Sequence, residues 1–386
     1  DFKNTEIAFE RKSNNELRET AWLFRMMNSN LLVNLGSKVT LFALQLKLPI
    51  QGLIKRTIFK QFCGGATFEE CRSTIKELAD YQVETILDYG AEGKESETAF
   101  DITVTESIKS VNFAAQHGTV NVVSCKVTGL CSNKLLEKIT ANQSLSSNEE
   151  AAYQKMIGRL DTICQSAHQQ RVALFIDAEE SWMQDAIDAA CDLMMERYNK
   201  EYVTVYNTYQ MYRHDRLEYL HSSFEAAKTK GYILGAKLVR GAYMEKERER
   251  AATKGYPSPI QPDKKSCDRD YNDAVKFCVE NYQQIASCVA SHNEYSTKYQ
   301  IEMMQQMNIP KQHKHFNFCQ LYGMSDHLTF NLAKSGYNVA KYVPYGPVKD
   351  VIPYLIRRAN ENSAVDTEVS RELKMIQEEQ NRRKRN

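Results

Sequence analysis

Val172–Val239 reads VALFIDAEESWMQDAIDAACDLMMERYNKEYVTVYNTYQMYRHDRLEYLHSSFEAAKTKGYILGAKLV, and this stretch decides the fold. Three short β-rich runs, Val172–Asp177, Tyr202–Tyr209 and Ile233–Val239, are separated by segments with helical spacing, Trp182–Tyr198 and Leu217–Lys230. Gly231, just past the second segment, is a helix stop. Strand–helix–strand alternation calls for parallel strands, because a parallel pair needs a crossover long enough to hold a helix.

The pattern continues on both sides. Upstream lie the runs Val83–Asp88 and Val120–Val127, with a helical segment Asn148–Ala167 that Ser147 and Glu150 would cap. Downstream come Ser287–His292, His315–Leu321 and Asn338–Tyr342, with helical segments Tyr271–Ala286, Thr297–Met307 and His327–Ser335 and a stop at Gly336. Eight strand–helix repeats predict a (β/α)8 barrel, with an open doubly wound sheet as the alternative. No GxGxxG follows any strand, so nothing supports a Rossmann dinucleotide site. The first eighty or so residues read as helical, with capping boxes at Ser13/Glu16 and Thr67/Glu70 and a break at Gly64-Gly65. The expected organisation is a helical segment over 1–82, the barrel over 83–365, and a helical, basic tail over 366–386.

Composition narrows the function. Fifty basic residues balance 49 acidic ones, which argues against a nucleic-acid footprint over the whole surface. Ten cysteines form no CxxC and have no zinc-like spacing with histidine, the pattern of a reducing compartment and of no metal site. His313 and His315 read as surface residues rather than ligands. No apolar run reaches the 18 residues that a spanning helix requires. Val39–Phe62 is apolar with interspersed lysines and reads as a packed helix and loop, a membrane-surface element being the alternative. The tail Arg382-Arg383-Lys384-Arg385 reads as a frayed, solvated end.

In such a barrel the active site forms at the C-terminal ends of the strands. Those ends carry Lys126, Asp177, Gln210, Lys237 with Arg240, Ser291-His292-Asn293, and Lys341-Tyr342. So many polar ends at one mouth favour an anionic substrate and a cofactor with many hydrogen-bonding edges. Beyond the last strand, Glu361 stands four residues from Arg357 and three from Arg358 on a helix. This is either an exposed ion pair of small value or a pair of guanidinia able to grip an amino-acid carboxylate.

The runs Lys237-Leu238-Val239-Arg240-Gly241-Ala242-Tyr243 and Tyr354-Leu355-Ile356-Arg357-Arg358-Ala359-Asn360-Glu361-Asn362 resemble the signature segments of proline dehydrogenases. So do Ile176-Asp177-Ala178-Glu179, Gln320–Met324 and Lys341–Pro347, in the family's order, across about residues 80 to 365. The resemblance implies a distorted, TIM-like barrel holding non-covalent FAD. It implies oxidation of L-proline to 1-pyrroline-5-carboxylate by hydride transfer from C5 to the flavin N5, with electrons passed to a quinone. On this resemblance Arg357, Arg358 and Lys126 hold the proline carboxylate, and Tyr342, Tyr243 and Leu321 wall the ring. Asp177 orients Lys126, while Gln210, Lys237, Val239, Arg240, Gly241, Ala242, Ser291, His292 and Glu361 contact FAD. Lys237 departs from an arginine common in bacterial members but keeps the positive charge.

The chain resembles the stand-alone enzyme, expected in the bacterial cytoplasm against the inner membrane; the matrix side of the mitochondrial inner membrane is the alternative. The nearest alternative substrate is hydroxyproline. Tyr342 fills the space its hydroxyl needs, and within the family a tyrosine here goes with proline. A barrel aldolase with Lys126 or Lys237 as Schiff base and a non-catalytic binding barrel are the remaining readings. The intact set of Lys126, Asp177, Arg357 and Arg358 argues against the last.

Overall fold

A computed structural model of the chain describes residues 1–29, 33, 36, 39, 46, 50–90, 95–364 and 368–385, without the side chains of 360–364 and 368–370. Eight strands form a closed barrel in sequence order: β1 Glu84–Tyr89, β2 Val122–Cys125, β3 Ala173–Ile176, β4 Val205–Gln210, β5 Leu234–Val239, β6 Ile285–Ala290, β7 Phe316–Leu321 and β8 Val339–Tyr345. All eight expected strands are present and pair in parallel, with Thr208 opposite Lys237, Lys237 opposite Cys288, and Ile86 opposite Tyr342.

The chain divides into two compact units, residues 93–319 and residues 1–92 with 320–386. In the first, the helices Ser147–Gln169, Ser181–Tyr198, Arg216–Lys230, Lys264–Glu280 and Glu294–Gln306 alternate with strands β3 to β7. Several boundaries depart from the sequence reading. The capping box before the first of these helices is Ser146 with Glu149, one residue early. The letters Ser-x-x-Glu fit both registers, and Lys138, 2.7 Å from Glu149, selects between them. The helix expected to run to Ala286 stops at Glu280, and Ile285 and Ala286 belong to β6. It begins earlier instead, where Asp263 accepts the Ser266 amide. The helix Glu97–Gln116, rich in β-branched residues, and the helices Asn133–Thr140 and Met244–Lys254 were not foreseen.

The second unit has its own core. Phe9, Leu17, Phe24, Phe59 and Phe62 from the N-terminal helices pack with Val351, Leu355 and Ile376 from the helices Val348–Ala364 and Glu368–Arg385. The capping box at Ser13/Glu16 forms; at Thr67 the side chain accepts the Glu70 amide, but the Glu70 carboxylate takes the Ala66 amide, so the expected box there is only half made. Within Val39–Phe62, residues 40–45 and 47–49 lie outside the described residues; Ile54, Phe59 and Phe62 are buried, and Leu53 is exposed. The basic tail is not frayed. Arg382 and Arg383 both bond Glu379, which is fully buried, and Arg383 donates to the carbonyls of Phe9 and Lys12 at 2.8 and 2.7 Å. The Arg383 guanidinium thus satisfies carbonyls at and just past the end of a short helix, and this fastens the C-terminal helix to the N-terminal one.

Buried charges sit behind β8. Lys341, fully inaccessible, places its ammonium 2.9 Å from Asp326, whose other oxygen takes Arg11 at 2.9 Å, with Lys12 at 3.9 Å. Burial alone would raise the Asp326 pKa, but Lys341, Arg11 and Lys12 together hold it well below the usual carboxylate range. Glu372 accepts the Ser325 amide, and burial, with Asp326 adding repulsion, pushes its carboxyl up to about 7.

A pH dependence follows. A carboxyl raised in the folded state binds more protons there than in the unfolded chain, so its contribution makes stability fall as pH rises from about 4.5 to about 7. Burial, with Lys341 adding to it, lowers His327 to about 4, which acts with the opposite sign between about 4 and 6.5. The comparison with Glu372→Gln isolates the first effect. The parent loses about 2 kcal/mol relative to the variant between pH 5 and 7.5. Urea unfolding across that range checks it, and parallel curves for the two proteins would contradict it.

Candidate active site

The strand ends of the unit 93–319 bring five of the expected residues together. β3 extends into Asp177, whose amide continues the ladder to the Cys125 carbonyl at 2.9 Å. The Lys237 ammonium, reaching from β5, bonds Asp177 Oδ1 at 2.6 Å and stands 5.4 Å from the Phe175 ring centroid. Lys126, directly after β2, places its ammonium 3.7 Å from Asp177 Oδ2 and 3.9 Å from Glu179 Oε1, ion-pair rather than hydrogen-bond distances. Asp177 therefore serves two lysines, and Lys237 holds it more closely.

Glu179 ties the rest into the cluster. Its oxygens accept Thr128 Oγ1 and the Tyr243 hydroxyl, both at 2.9 Å, and its carbonyl accepts Gln210 Nε2 at 2.8 Å. Glu179 carried no role in the sequence reading, although it lies two residues after Asp177 in a quoted motif. A carboxylate two positions beyond a strand end was the available signal. The four charged side chains, two cationic and two anionic, all have under a fifth of their side-chain surface exposed. They make a preorganised polar floor that needs little rearrangement to bind a further charged group.

A second cluster follows β5 and β6. Arg240 donates to Asp268 at 2.8 Å, to Ser291 at 2.8 Å and to Ser296 at 3.0 Å, and its guanidinium stacks 4.3 Å from the Tyr271 ring centroid. Its planar fork is thereby fixed, the state in which an arginine meets an anion at least entropic cost. Asp268 and Ser296 lay outside the sequence reading, because their partner is about thirty residues or more away. Gly241 has φ +137°, and a Cβ there would lie 2.5 Å from the Tyr212 ring, so only glycine fits beside Arg240. Val239 is the last residue of β5; Ala242 is exposed and His292 half-buried.

Leu321, Tyr342, Arg357 and Arg358 belong to the other unit. Tyr342 is buried on β8, and strand alternation puts it on the opposite face from Lys341. Leu321 is half-buried at the end of β7, and the next residue, Tyr322, donates its amide to the Tyr342 carbonyl at 2.9 Å. Arg357 and Arg358 are half-buried on the helix Val348–Ala364, with Arg358 5.5 Å from the Tyr354 ring centroid. Glu361 shares that helix, but its side chain lies outside the described residues. His315 spends Nδ1 on the Tyr282 carbonyl, and among the described residues no group of three or more His, Cys, Asp or Glu could hold a metal.

Part of this geometry fits a flavin nucleotide. Gln210 Oε1 is buried with no hydrogen-bond partner while its Nε2 is spent on the Glu179 carbonyl, which leaves an acceptor of the kind that a ring N–H satisfies. Arg240, its fork fixed by Ser291 and Ser296, is a cation that an anionic group of the cofactor could meet.

Comparison with known proteins agrees. The family model for proline dehydrogenase matches residues 71–371. Mitochondrial proline dehydrogenase 1 of Dictyostelium discoideum is 32% identical over 98% of this chain and 74% of its own length. Hydroxyproline dehydrogenase of Xenopus laevis is 30% identical over 97% of the chain and 89% of its own length. The human mitochondrial proline dehydrogenase 1 is 38% identical over 60% of the chain, which spans 39% of that relative. The crystal structure of proline utilization A from Bdellovibrio bacteriovorus shares the fold, with TM-score 0.73 at 22% identity over 94% of the chain and 38% of that protein. A family match over residues 71–371, on a closed parallel barrel of eight strands, settles the assignment: the chain belongs to the proline dehydrogenase family, oxidoreductases that carry out the first step of proline breakdown.

Proposed function

We propose that this chain binds FAD non-covalently, oxidises L-proline to 1-pyrroline-5-carboxylate and passes the electrons to a membrane quinone. The observation that carries the flavin is the buried, unpartnered Gln210 Oε1, bonded through its other end to the Lys126–Asp177–Lys237–Glu179 cluster. Gln210, Lys237, Val239, Arg240, Gly241, Ala242, Ser291, His292 and Glu361 would hold FAD, which when bound accepts a hydride from proline C5 at its N5. Lys237, tied to Asp177, keeps a positive charge where negative charge develops on reduction. Arg357, Arg358 and Lys126 bind the substrate carboxylate, the main handle that so small a substrate offers. Asp177 steadies the Lys126 ammonium, and Tyr342, Tyr243 and Leu321 shape the wall that orients C5 and excludes water.

Proline is favoured over hydroxyproline because Tyr342 occupies the room a ring hydroxyl would need, even though the frog hydroxyproline dehydrogenase is a relative. Relatives named mitochondrial support a mitochondrial location, and we place the chain on the matrix side of the inner membrane, where the quinone pool is reached. Among the described residues no helix is long and apolar enough to cross a membrane. Exposed Trp22, Met26 and Leu53, interspersed with Arg18, Arg25 and Arg56, suit peripheral contact with an anionic bilayer that delivers the quinone.

The test is anaerobic. The purified protein is expected to show flavin absorbance near 450 nm, released by denaturation. L-Proline should bleach it at a rate at least tenfold above that with hydroxyproline, without NAD. A colourless protein that FAD cannot reconstitute, or formation of NADH from proline, would overturn the reading.

A further inference from the structure

The loop from Leu321 to Ser325 is held more firmly than a surface connection needs. Ser325 has φ +51°, a left-handed conformation that a non-glycine residue keeps only where its surroundings impose it, and Gly323 turns the same loop at φ +78°. Four residues on three elements hold the loop. Lys341 of β8 donates to the Leu321 carbonyl at 3.3 Å and to the Met324 carbonyl. Gln61 donates to the Gly323 carbonyl at 2.7 Å, and a Cβ on Gly323 would collide with the Gln61 backbone. Glu372 of the C-terminal helix takes the Ser325 amide, and the Tyr342 carbonyl takes the Tyr322 amide. Lys341 is the hub, because its ammonium is also locked to Asp326 and through it to Arg11.

We infer that Lys341 is a positioning residue for the substrate: by gripping two carbonyls of this loop from behind β8, it sets the Leu321 side chain and the adjacent Tyr342. The inference rests on the proposed reading that Leu321 and Tyr342 wall the ring. Lys341 touches no reacting atom and faces away from Tyr342 along the strand. Its ammonium gives the loop donors of fixed direction, and rigid walls discriminate between substrates differing by one hydroxyl better than mobile ones do. The N-terminal segment and the C-terminal helix thereby become part of the specificity apparatus, through Arg11, Gln61 and Glu372.

The lone variant Lys341→Met would leave the Asp326 carboxylate buried with less compensation, so the paired variant Lys341→Met with Asp326→Asn removes both charges. Gln61→Leu loosens the same loop without touching a charge. Steady-state kinetics with L-proline and with hydroxyproline are measured on FAD-loaded protein, with activity normalised to bound flavin. The paired variant should raise KM for proline at least tenfold with kcat within threefold of the parent. It should also lower the ratio of kcat/KM for proline over hydroxyproline at least tenfold. Gln61→Leu should move both in the same direction by about threefold. A purely structural lysine would lower the yield of flavin-loaded protein but leave KM and the ratio unchanged, and that result in both variants overturns the inference. Failure of the parent to reduce its flavin with proline would strike the functional reading instead, so the two failures are distinguishable.

Discussion

Replacing Arg357 or Arg358 with methionine should lower kcat/KM for L-proline by roughly 30- to 4000-fold while FAD stays bound. That range corresponds to about 2–5 kcal/mol, the cost of losing a charged hydrogen bond to a carboxylate shielded from water. Both arginines are half-buried on the helix Val348–Ala364, so neither is a freely solvated surface charge. If their role were a solvent-exposed ion pair, the loss would be under about 1 kcal/mol and the kinetics would barely move. Because proline is small, loss of the carboxylate grip also tilts C5 away from the flavin, and kcat falls together with the rise in KM. Glu361→Ala is the control: it should weaken FAD retention more than proline binding. Arginine variants that each stay within about threefold of the parent would place the carboxylate grip elsewhere.

Removing Asp177 is the second large effect. The Asp177→Ala protein should be less stable by about 3–5 kcal/mol, because it leaves the Lys237 ammonium buried without its 2.6 Å partner and deprives Lys126 of one of two carboxylates. The side chains of Lys237 and Asp177 are only 7% and 10% exposed, so water cannot take over the role. The double variant Asp177→Asn with Lys237→Met removes the pair as a unit and should recover most of that stability, since a buried ion pair is worth little more than an isosteric neutral pair. It should not recover turnover, because the positive charge proposed to stand beside the flavin is gone. Denaturant midpoints and proline-dependent flavin reduction, measured for both variants, check the two halves separately. An Asp177→Ala protein as stable as the parent would show that Lys237 is compensated by another group.

The strand count and order were readable because each barrel strand is a short apolar run between polar turns, a local property. Their ends were less so. β8 runs on to Tyr345, past the expected end at Tyr342, because its pairing with β1 continues, with Asp88 opposite Pro344 and Tyr89 opposite Tyr345, and Pro344 still offers a carbonyl to the Gly64 amide at 2.9 Å although it has no N–H of its own. The caps at Ser13 and Thr67 were legible for the same local reason, whereas Ser146 and Ser147 carried equal signals until Lys138 chose between them. The basic tail looked like a solvated end because its partners, the carbonyls of Phe9 and Lys12, lie more than 370 residues earlier in the chain.

What the sequence determined by itself was which residues stand at strand ends: Lys126, Asp177, Gln210 and Ser291 follow from strand position and period, whereas Lys237 and Tyr342, expected there too, lie inside β5 and β8. Only the tertiary structure decided how they are connected. It gave Asp177 to Lys237 at hydrogen-bond distance and to Lys126 at ion-pair distance, made Glu179 the junction of Thr128, Tyr243 and Gln210, and turned Lys341 away from Tyr342 to brace the Leu321 loop. The physical reason is one of range. Hydrophobic periodicity and capping act over a few residues along the chain and are written there, while a charged side chain several ångströms long finds its partner across a barrel whose register exists only once the strands have closed.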